Sequence, residues 1–394
     1  MNHLNITIFG LGYVGMSLAA LLGTRHNVSV FDTDQSKMSK VKSNKSTIED
    51  KDIQNYLDQK ISKINVVENL NQSIKGSDFC IIATPTNFDE EKNKFDTNSV
   101  EDCIHQVLKA NAEAVIIIKS TLPLGFISRM RDQTGSQKII FCPEFLQEGT
   151  ALSDNLNPER IVVGDKTELG QSIAKLFLSV CTNNSTRVLL ASPTEAECVK
   201  LFANNYLALR VAFFNELDSF AWERGLDTEE IIRGVCGDRR IGDFYNNPSF
   251  GFGGYCLPKD VSQLESEITR VENFTSPVLT SISASNSERK KIVVKHILEK
   301  EFSIIGIYRV NMKTGSENFR ESAVIAIISN LLIENKKVIV YEPLWTGPLL
   351  YGCEVINDFE KFNSLADVIV ANRCDELLQT SDKTIITRDI FNNN

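Results

Sequence analysis

The chain has 394 residues, 42% of them hydrophobic and 24% charged, as in a globular protein long enough for two or three domains of about 100–200 residues. It has 42 Lys and Arg against 51 Asp and Glu, and the net charge of -9 argues against a nucleic-acid binder. No apolar run approaches the roughly 18 residues that span a bilayer, and the first residues lack the pattern of a secretory signal. We therefore expect a cytoplasmic protein that binds neither nucleic acid nor membrane.

Cysteine and histidine usage limits the possible chemistry. None of the nine cysteines forms a C-x-x-C pair, and none of the four histidines lies three or four residues from another. These spacings predict neither a disulfide framework nor a metal site. Acid–base chemistry must then rely on carboxylates, lysine or cysteine.

The first half alternates short apolar runs with helical stretches, which predicts a parallel sheet whose strands are buried on both faces. The predicted strands are Asn5–Phe9, Val28–Asp32, Phe79–Ala83, Ala114–Lys119, Lys138–Cys142, Arg160–Gly164 and Arg187–Leu190.

A long helix is predicted next. Ser192 and Glu195 form a capping box, and no breaker follows Pro193 until Gly225, so we expect a helix of about 32 residues, roughly 48 Å long. A long surface helix is one interpretation. We favour a domain connector that partly contacts a second subunit, because it carries many large apolar side chains. These are Leu201, Phe202, Tyr206, Leu209, Phe213, Phe214, Leu217 and Phe220.

A second strand–helix pattern begins near Phe302. Its predicted strands are Ser303–Tyr308, Lys337–Tyr341, Asp367–Ala371 and Thr384–Thr387, with a helix near Glu321–Glu334. The predicted fold class is α/β, with two Rossmann-like doubly wound domains joined by a long central helix and a helical middle domain. We expect domains at 1–192, 193–298 and 299–394.

A glycine fingerprint follows the first strand and opens a helix. Gly10 allows a tight turn, Gly12 lets a pyrophosphate approach the backbone, and Gly15 lets helix and strand pack closely. Tyr13 and Val14 lie in the same turn, where the helix N-terminus would face the phosphates. The pattern predicts a dinucleotide site.

Asp32 lies 22 residues after Gly10, where a carboxylate accepts from a ribose 2′-OH and repels a 2′-phosphate, which favours NAD over NADP. An ordinary turn residue is the alternative. Lys37 either meets the adenosine side or is a solvated lysine.

Two further strand ends bear on this site. The segments Thr84-Pro85-Thr86 and Ser120-Thr121-Leu122-Pro123 lie where ligands of doubly wound sheets bind, and both could line the nicotinamide side. The alternative is that their prolines simply terminate strands.

Four segments carry candidate chemistry. Glu144 and Glu148 follow a strand near the expected cofactor, although both could be solvated loop residues. Lys200 and Asn204 share one helix face and could stabilise a developing oxyanion, or be ordinary helix residues.

The other two segments lie further along the chain. Cys256 follows a glycine-rich loop and precedes Lys259 and Asp260, so it is a candidate nucleophile or else a buried structural cysteine. Lys313 and Arg320 suit phosphates, or form a solvated basic loop.

Together these residues resemble the UDP-glucose 6-dehydrogenase family in its short bacterial form, over nearly the whole chain. The motifs that carry the resemblance are GLGYVG (10–15), IKSTLPLG (118–125), PEFLQEG (143–149), KLFANNYLALRVAFFNELD (200–218), YNNPSFGFGGYCLPKD (245–260), YRVNMK (308–313) and FRES (319–322). The resemblance implies a four-electron oxidation of a sugar CH2OH to a carboxylate with two NAD. Cys256 would hold the intermediate as a thiohemiacetal and then as a thioester, which water releases as UDP-glucuronate.

The resemblance also implies residue roles. Lys200 and Asn204 would stabilise oxyanions, Asp260 would act on water with Thr121 nearby, and Glu144 and Glu148 would flank the reacting carbon. The implied cofactor contacts are Gly10, Gly12, Tyr13, Val14, Gly15, Asp32, Lys37, Thr84, Pro85, Thr86, Ser120, Thr121, Glu148, Lys259 and Arg320, the last reaching the partner's NAD. The implied substrate contacts are Glu144, Phe145, Leu146, Glu148, Lys200, Asn204, Tyr245, Asn247, Ser249, Phe250, Gly253, Lys313, Arg388 and, from the partner subunit, Arg240. The family is dimeric or larger around the long helix.

Departures and alternatives remain. Gln147 and Thr150 stand where relatives often have Arg and Lys, and the residues before Arg240 differ from the usual pattern. Sibling enzymes oxidise UDP-N-acetylmannosamine, UDP-N-acetylglucosamine or GDP-mannose. A two-electron 3-hydroxyacid dehydrogenase would need no cysteine, and a non-catalytic NAD or UDP-sugar-binding regulator would need no Cys256 chemistry.

Overall fold

The computed structural model describes residues 3–310 and 322–392, which divide into two compact units, Met1–Phe202 and Ala203–Asn394. The division falls within one continuous helix, α9 (Pro193–Arg224), whose 32 residues confirm the predicted length. No helix formed by the described residues is long and apolar enough to cross a membrane.

Unit 1 contains a six-stranded parallel sheet and the helices that follow its strands. The strands of unit 1, including those outside this sheet, are in chain order β1 (Asn5–Phe9), β2 (Asn27–Phe31), β3 (Ile64–Val66), β4 (Phe79–Ile82), β5 (Phe88–Asp89), β6 (Lys94–Phe95), β7 (Val115–Ile118), β8 (Ile139–Phe141), β9 (Arg160–Val163) and β10 (Arg187–Leu190). The helices before α9 are α1 (Tyr13–Leu22), α2 (Gln35–Lys42), α3 (Lys51–Asp58), α4 (Leu70–Lys75), α5 (Asn98–Ala110), α6 (Phe126–Thr134), α7 (Ala151–Leu156) and α8 (Glu168–Leu178).

The main sheet has the order β3-β2-β1-β4-β7-β8, with every pair parallel, so the predicted doubly wound fold is confirmed. Its central strands are uniformly apolar because helices cover both faces, as in β7, whose sequence is VIII. The reversal of strand order lies between β1 and β4, where such sheets bind ligands beyond the carboxyl ends of the strands. β9 and β10 form a separate parallel pair, and β5 and β6 an antiparallel one.

Unit 2 combines helices with a second, mostly parallel sheet of order β13-β14-β12-β11-β15-β16. Its strands are β11 (Ile304–Tyr308), β12 (Lys337–Tyr341), β13 (Leu349–Leu350), β14 (Cys353–Val355), β15 (Val368–Ala371) and β16 (Thr384–Thr387). Its helices after α9 are α10 (Thr228–Cys236), α11 (Cys256–Thr269), α12 (Pro277–Leu298), α13 (Ala323–Ile333) and α14 (Phe359–Leu365), with a 3-10 turn at Leu378–Thr380.

The core of unit 2 lies where the second sheet meets its helices. Ile305 and Ile307 of β11 pack with Ile327 and Ile328 of α13 and with Val293 of α12. The hairpin β13–β14 is antiparallel at the sheet edge and follows no helical crossover, which is why the βα pattern did not predict it.

Candidate active site

The glycine fingerprint lies between β1 and α1. Gly10 has φ +89°, and a Cβ there would lie 2.6 Å from the Ala83 carbonyl oxygen, while a Cβ on Gly15 would lie 1.8 Å from that of Gly10. A Cβ on Gly12, in contrast, would meet no atom of the described chain within 4 Å. The first and third glycines therefore allow tight packing, and the second leaves open the side from which a pyrophosphate approaches.

The N-terminus of α1 is suited to an anion. Tyr13 and Val14 begin the helix, no described side chain caps it at Gly12, and its first turn contains no acidic residue. The helix dipole therefore favours negative charge at this end.

Asp32 follows β2 and faces the same loop. Its carboxylate accepts hydrogen bonds from the N–H groups of Leu11 at 2.7 Å and Asp34 at 2.9 Å. Lys37 lies beside it, with Nζ 3.4 Å from Oδ2. These contacts fix the carboxylate beside the glycine loop, where its charge would disfavour a 2′-phosphate.

The ends of β4 and β7 are hydrogen-bonded to each other. Ser120 Oγ donates to the Thr84 carbonyl at 2.6 Å, and Thr86 Oγ1 donates to the Thr121 carbonyl at 2.8 Å, with Pro85 between the two threonines. The two segments predicted separately therefore form one ordered rim beside the glycine loop.

Lys200 and Glu144 form a buried ion pair in unit 1. Nζ of Lys200 donates to the Glu144 carbonyl at 2.8 Å and lies 3.2 Å from Oε1. Oε2 of Glu144 is buried without a hydrogen-bond partner among the described residues. The Phe145 ring contacts two cations, the Arg160 guanidinium at 4.1 Å and Lys200 Nζ at 5.4 Å from its centroid. Glu144 thus presents one acceptor oxygen that the described protein does not use.

The rest of this segment leads into α7. Leu146 and Glu148 are half-buried, and Gly149 has φ +92°. Asp154 of α7 accepts from the Gln147 N–H at 2.7 Å, which orders the segment.

In unit 2, Cys256 is the first residue of α11 and is exposed. One turn later Asp260 is fully buried and accepts from Asn204 Nδ2 of α9 and, at 2.7 Å, from Lys259 Nζ. A thiol at a helix N-terminus with no acidic residue in the first turn is placed to be stabilised as thiolate. The structure therefore brings together four predicted residues, Asn204, Cys256, Lys259 and Asp260.

Asn247 contacts the C-terminal segment of the chain. Its Nδ2 donates to Asp389 at 2.6 Å, and its Oδ1 accepts from the N–H groups of Ile390 and Phe391 at 3.0 and 3.3 Å. Its amide therefore orders the start of the glycine-rich loop.

The remaining predicted residues of this loop differ in exposure. Tyr245 has φ +53° and, like Gly253, is partly exposed, whereas Ser249 and Phe250 are buried. The Phe250 side chain packs in the core of unit 2, so only its backbone faces the loop.

Arg388 binds protein groups of unit 2. Its Nε lies 2.9 and 3.1 Å from the carboxylate oxygens of Asp218, and its guanidinium lies 4.6 Å from the Trp222 ring centroid. Arg289 of α12 pairs with the same fully buried carboxylate. Burial lowers the pKa of Arg289, although Asp218 opposes the shift.

Three predicted cations remain, and one of them lies among the described residues. Arg240 is exposed and pairs with Asp238 at 2.6 Å. Lys313 and Arg320 lie outside the described residues.

Comparisons with known proteins agree with this geometry. Residues 4–179 match the NAD binding domain of the UDP-glucose/GDP-mannose dehydrogenase family, and residues 194–288 match its central domain. UDP-glucose 6-dehydrogenases of Campylobacter jejuni subsp. jejuni serotype O:2 and Streptococcus pneumoniae are 41% and 42% identical, over 392 and 397 residues. Each alignment covers 98% of this chain and 99% of the relative.

The chain belongs to the UDP-glucose/GDP-mannose dehydrogenase family. The fold agrees with that of a UDP-glucose dehydrogenase from Pyrobaculum islandicum, with a TM-score of 0.88 at 23% identity, over 98% of this chain and 94% of that chain. Unit 1 carries the family's NAD-binding domain, and the open side of Gly12, the N-terminus of α1 and the fixed Asp32 carboxylate fit NAD.

The residues that hold the glycine-rich loop of this protein were not predicted from the sequence. They are polar residues of α9, α12 and the segment after β15, of which Asn215, Asn286, Arg289 and Asn372 are buried and Arg373 is partly buried. The available signal was the occurrence of polar residues within apolar helical stretches, as at Asn215 in FFNELDSF.

Burial separates Cys256 from several other cysteines. It raises the pKa of Cys80 and of Cys103 to about 12, and it raises the pKa of Cys142 as well. These thiols stay protonated at neutral pH and react slowly.

Proposed function

We propose that the protein oxidises C6 of UDP-glucose to a carboxylate, giving UDP-glucuronate with the reduction of two NAD per sugar. The relatives named UDP-glucose 6-dehydrogenase, at 41% and 42% identity over nearly full length, support this substrate. The observation that carries the mechanism is Cys256, exposed at the first residue of α11 above the buried Asp260.

NAD, when bound in unit 1, accepts the hydride in each of the two oxidations. Cys256 adds to the aldehyde that the first oxidation produces: a C–S bond forms, and the carbonyl oxygen takes a proton to give a thiohemiacetal. Loss of a hydride and a proton from this adduct gives a thioester. Water then forms the new C–O bond, the C–S bond breaks, and Cys256 is regenerated.

Lys200 and Asn204 stabilise the oxygen as it becomes negative. They stand one turn apart on α9, Lys200 as a buried ammonium and Asn204 as an amide held by Asp260. A fixed donor in a site that excludes water is worth about 10²–10³ in rate. Asp260, itself held by Lys259, orients the water for thioester hydrolysis. Thr121 is a further candidate for this role, as the family resemblance implies.

Glu144 and Glu148 flank the reacting carbon in this proposal. The unused Oε2 of Glu144 is an acceptor for the attacking water or the sugar hydroxyl. The UDP-sugar is bound by Phe145 and Leu146, by the loop residues Tyr245, Asn247, Ser249 and Gly253 with the backbone of Phe250, and by Lys313 and Arg388.

A panel of nucleotide sugars tests the substrate. We expect NADH formation with UDP-glucose at a kcat/KM at least tenfold above that with UDP-N-acetylmannosamine, UDP-N-acetylglucosamine or GDP-mannose, since an added acetamido group or a changed base disturbs a fitted pocket by about 1–3 kcal/mol. A preference for one of the other three sugars would reassign the substrate. Absence of turnover with all four would favour a non-catalytic binding protein.

We also propose a homodimer built around α9. Tyr206, Phe213 and Phe220 recur every seven residues and expose 55–60% of their surface, and Phe202 exposes 46%. Large aromatic side chains at regular helical spacing are typical of an interface core. In such a dimer Arg240 reaches the partner's UDP and Arg320 the partner's NAD.

A reducing compartment suits this chemistry. The mechanism needs Cys256 as a thiol, and the chain has eight further cysteines that oxidation would threaten. We therefore place the enzyme in the cytoplasm.

A further inference from the structure

Three buried asparagines hold the glycine-rich loop before Cys256, and two of them, Asn215 and Asn286, bind it on either side of Gly251. Asn215 of α9 accepts from the Ser249 N–H at 2.8 Å. Asn286 of α12 accepts from the Phe252 N–H at 2.8 Å and donates to the Phe252 carbonyl at 2.9 Å. Asn286 thus satisfies both backbone groups of one residue, as a neighbouring strand would.

Gly251 is explained by the same asparagine. It has φ +140°, and a Cβ there would lie 2.7 Å from Oδ1 of Asn286. A side chain at this position would displace the amide from Phe252. Gly251 and Asn286 are distant in the chain, and the absence of a side chain at Gly251 leaves the room that the Asn286 amide occupies.

Phe252 connects this contact to the nucleophile. Its side chain is buried with Val261 of α11 and Ile282 of α12. Gly253, Gly254 and Tyr255 separate it from Cys256, and Gly254 has φ +80° with open space at its Cβ position. Because a Gly-Gly pair fixes little by itself, the position of Cys256 depends on Phe252 before it and on α11 after it.

We propose that Asn286 is a positioning residue for Cys256: through the Phe252 backbone it holds the thiol at the N-terminus of α11. Asn215 holds the loop at Ser249, and this contact supports binding of the sugar nucleotide rather than the position of the thiol. This division of roles rests on the proposed function.

The test compares Asn286→Ala with Asn215→Ala. Each variant removes a buried side-chain oxygen that accepts a hydrogen bond from one N–H group of the loop. The first readout is the rate at which iodoacetamide alkylates Cys256 at pH 7 without substrate, followed by peptide mass spectrometry. We expect this rate to fall about tenfold in Asn286→Ala, because the thiolate loses the helix N-terminus, and to stay within about twofold of wild type in Asn215→Ala. The second readout is kinetic: kcat falls in Asn286→Ala, whereas KM for UDP-glucose rises in Asn215→Ala.

Asn286→Asp keeps the acceptor for the Phe252 N–H and loses the donor, so its alkylation rate should lie between those of wild type and Asn286→Ala. This variant also serves if Asn286→Ala does not fold. Wild-type alkylation rates in both Asn286 variants, or equal losses in Asn286→Ala and Asn215→Ala, would overturn the proposal. The alkylation readout needs no turnover, so a wrong substrate would alter only the kinetic readout.

Discussion

At the scale of single residues, the most informative pair is Lys200 with Glu144. Both side chains are at most 9% exposed, and they lie 3.2 Å apart. Removing one partner of a buried ion pair leaves the other charge uncompensated, which costs more than replacing both. The pair therefore allows the cost to folding to be separated from the cost to catalysis.

We predict that Lys200→Met lowers the free energy of unfolding by about 3 kcal/mol and kcat by about 10²-fold or more. Adding Glu144→Gln should restore much of the stability and none of the activity, because the oxyanion donor is still missing. Urea denaturation and steady-state kinetics measure the two quantities. A double variant that regains kcat would show that Lys200 acts only by neutralising Glu144.

Cysteine reactivity gives a second prediction at this scale. Because burial raises the pKa of Cys80 and Cys103 to about 12, these thiols stay protonated at pH 8. We expect limiting iodoacetamide to alkylate Cys256 first in the native enzyme and to abolish activity with one label per chain. Peptide mapping identifies the site, and Cys256→Ser is the control. Early labelling of another cysteine with loss of activity would remove the basis for the thioester.

Individual residues also mark the limits of reasoning from sequence. Cys256 was a candidate from the sequence because it follows a glycine-rich loop and precedes Lys259 and Asp260, and the structure shows that it is exposed rather than buried. Asn286 was not, because its role depends on the Phe252 backbone 34 residues earlier, and no local pattern reports such a contact. The sequence likewise did not predict that the Phe250 side chain packs in the core of unit 2 while its N–H donates to Asn372 at 2.9 Å.

At the scale of elements, prediction was most accurate where periodicity was long and the ends were marked. The capping residues and Gly225 bounded α9 correctly, and β1, β10, β12 and β16 have the predicted ends. The short strands β3, β5, β6, β13 and β14 were missed because two or three residues carry too little periodicity. The pairs β5–β6 and β13–β14 are also antiparallel and need no crossover.

The exposed aromatic residues of α9 lead to a prediction about assembly. Phe213→Glu with Phe220→Glu should shift the protein from dimer to monomer, because charges in an apolar interface are left without solvent or partners. Sedimentation equilibrium across a concentration series measures the change. Ile333→Glu on α13, 72% exposed in the native chain, is the matched control and should leave assembly unchanged. A double variant that remains dimeric would place the interface elsewhere.

At the scale of the whole molecule, each unit contains some of the residues predicted for the site. Unit 1 contains the glycine loop, Lys200 and Glu144, and unit 2 contains Cys256, Asp260 and Asn204. The order of elements along the chain predicted both sheets, since βα alternation specifies parallel crossovers. The ion pairs of the buried Asp218 with Arg289 and Arg388 join three distant segments of unit 2, and the order of elements could not predict them.

In the proposed mechanism, one enzyme carries a sugar through two oxidations with a single cysteine. The most direct measurement is the NADH formed per UDP-glucose consumed, with limiting sugar and excess NAD, followed by absorbance. We predict a ratio of two for the wild type and no net conversion to UDP-glucuronate by Cys256→Ala. A ratio of one, with free aldehyde in solution, would contradict the covalent mechanism.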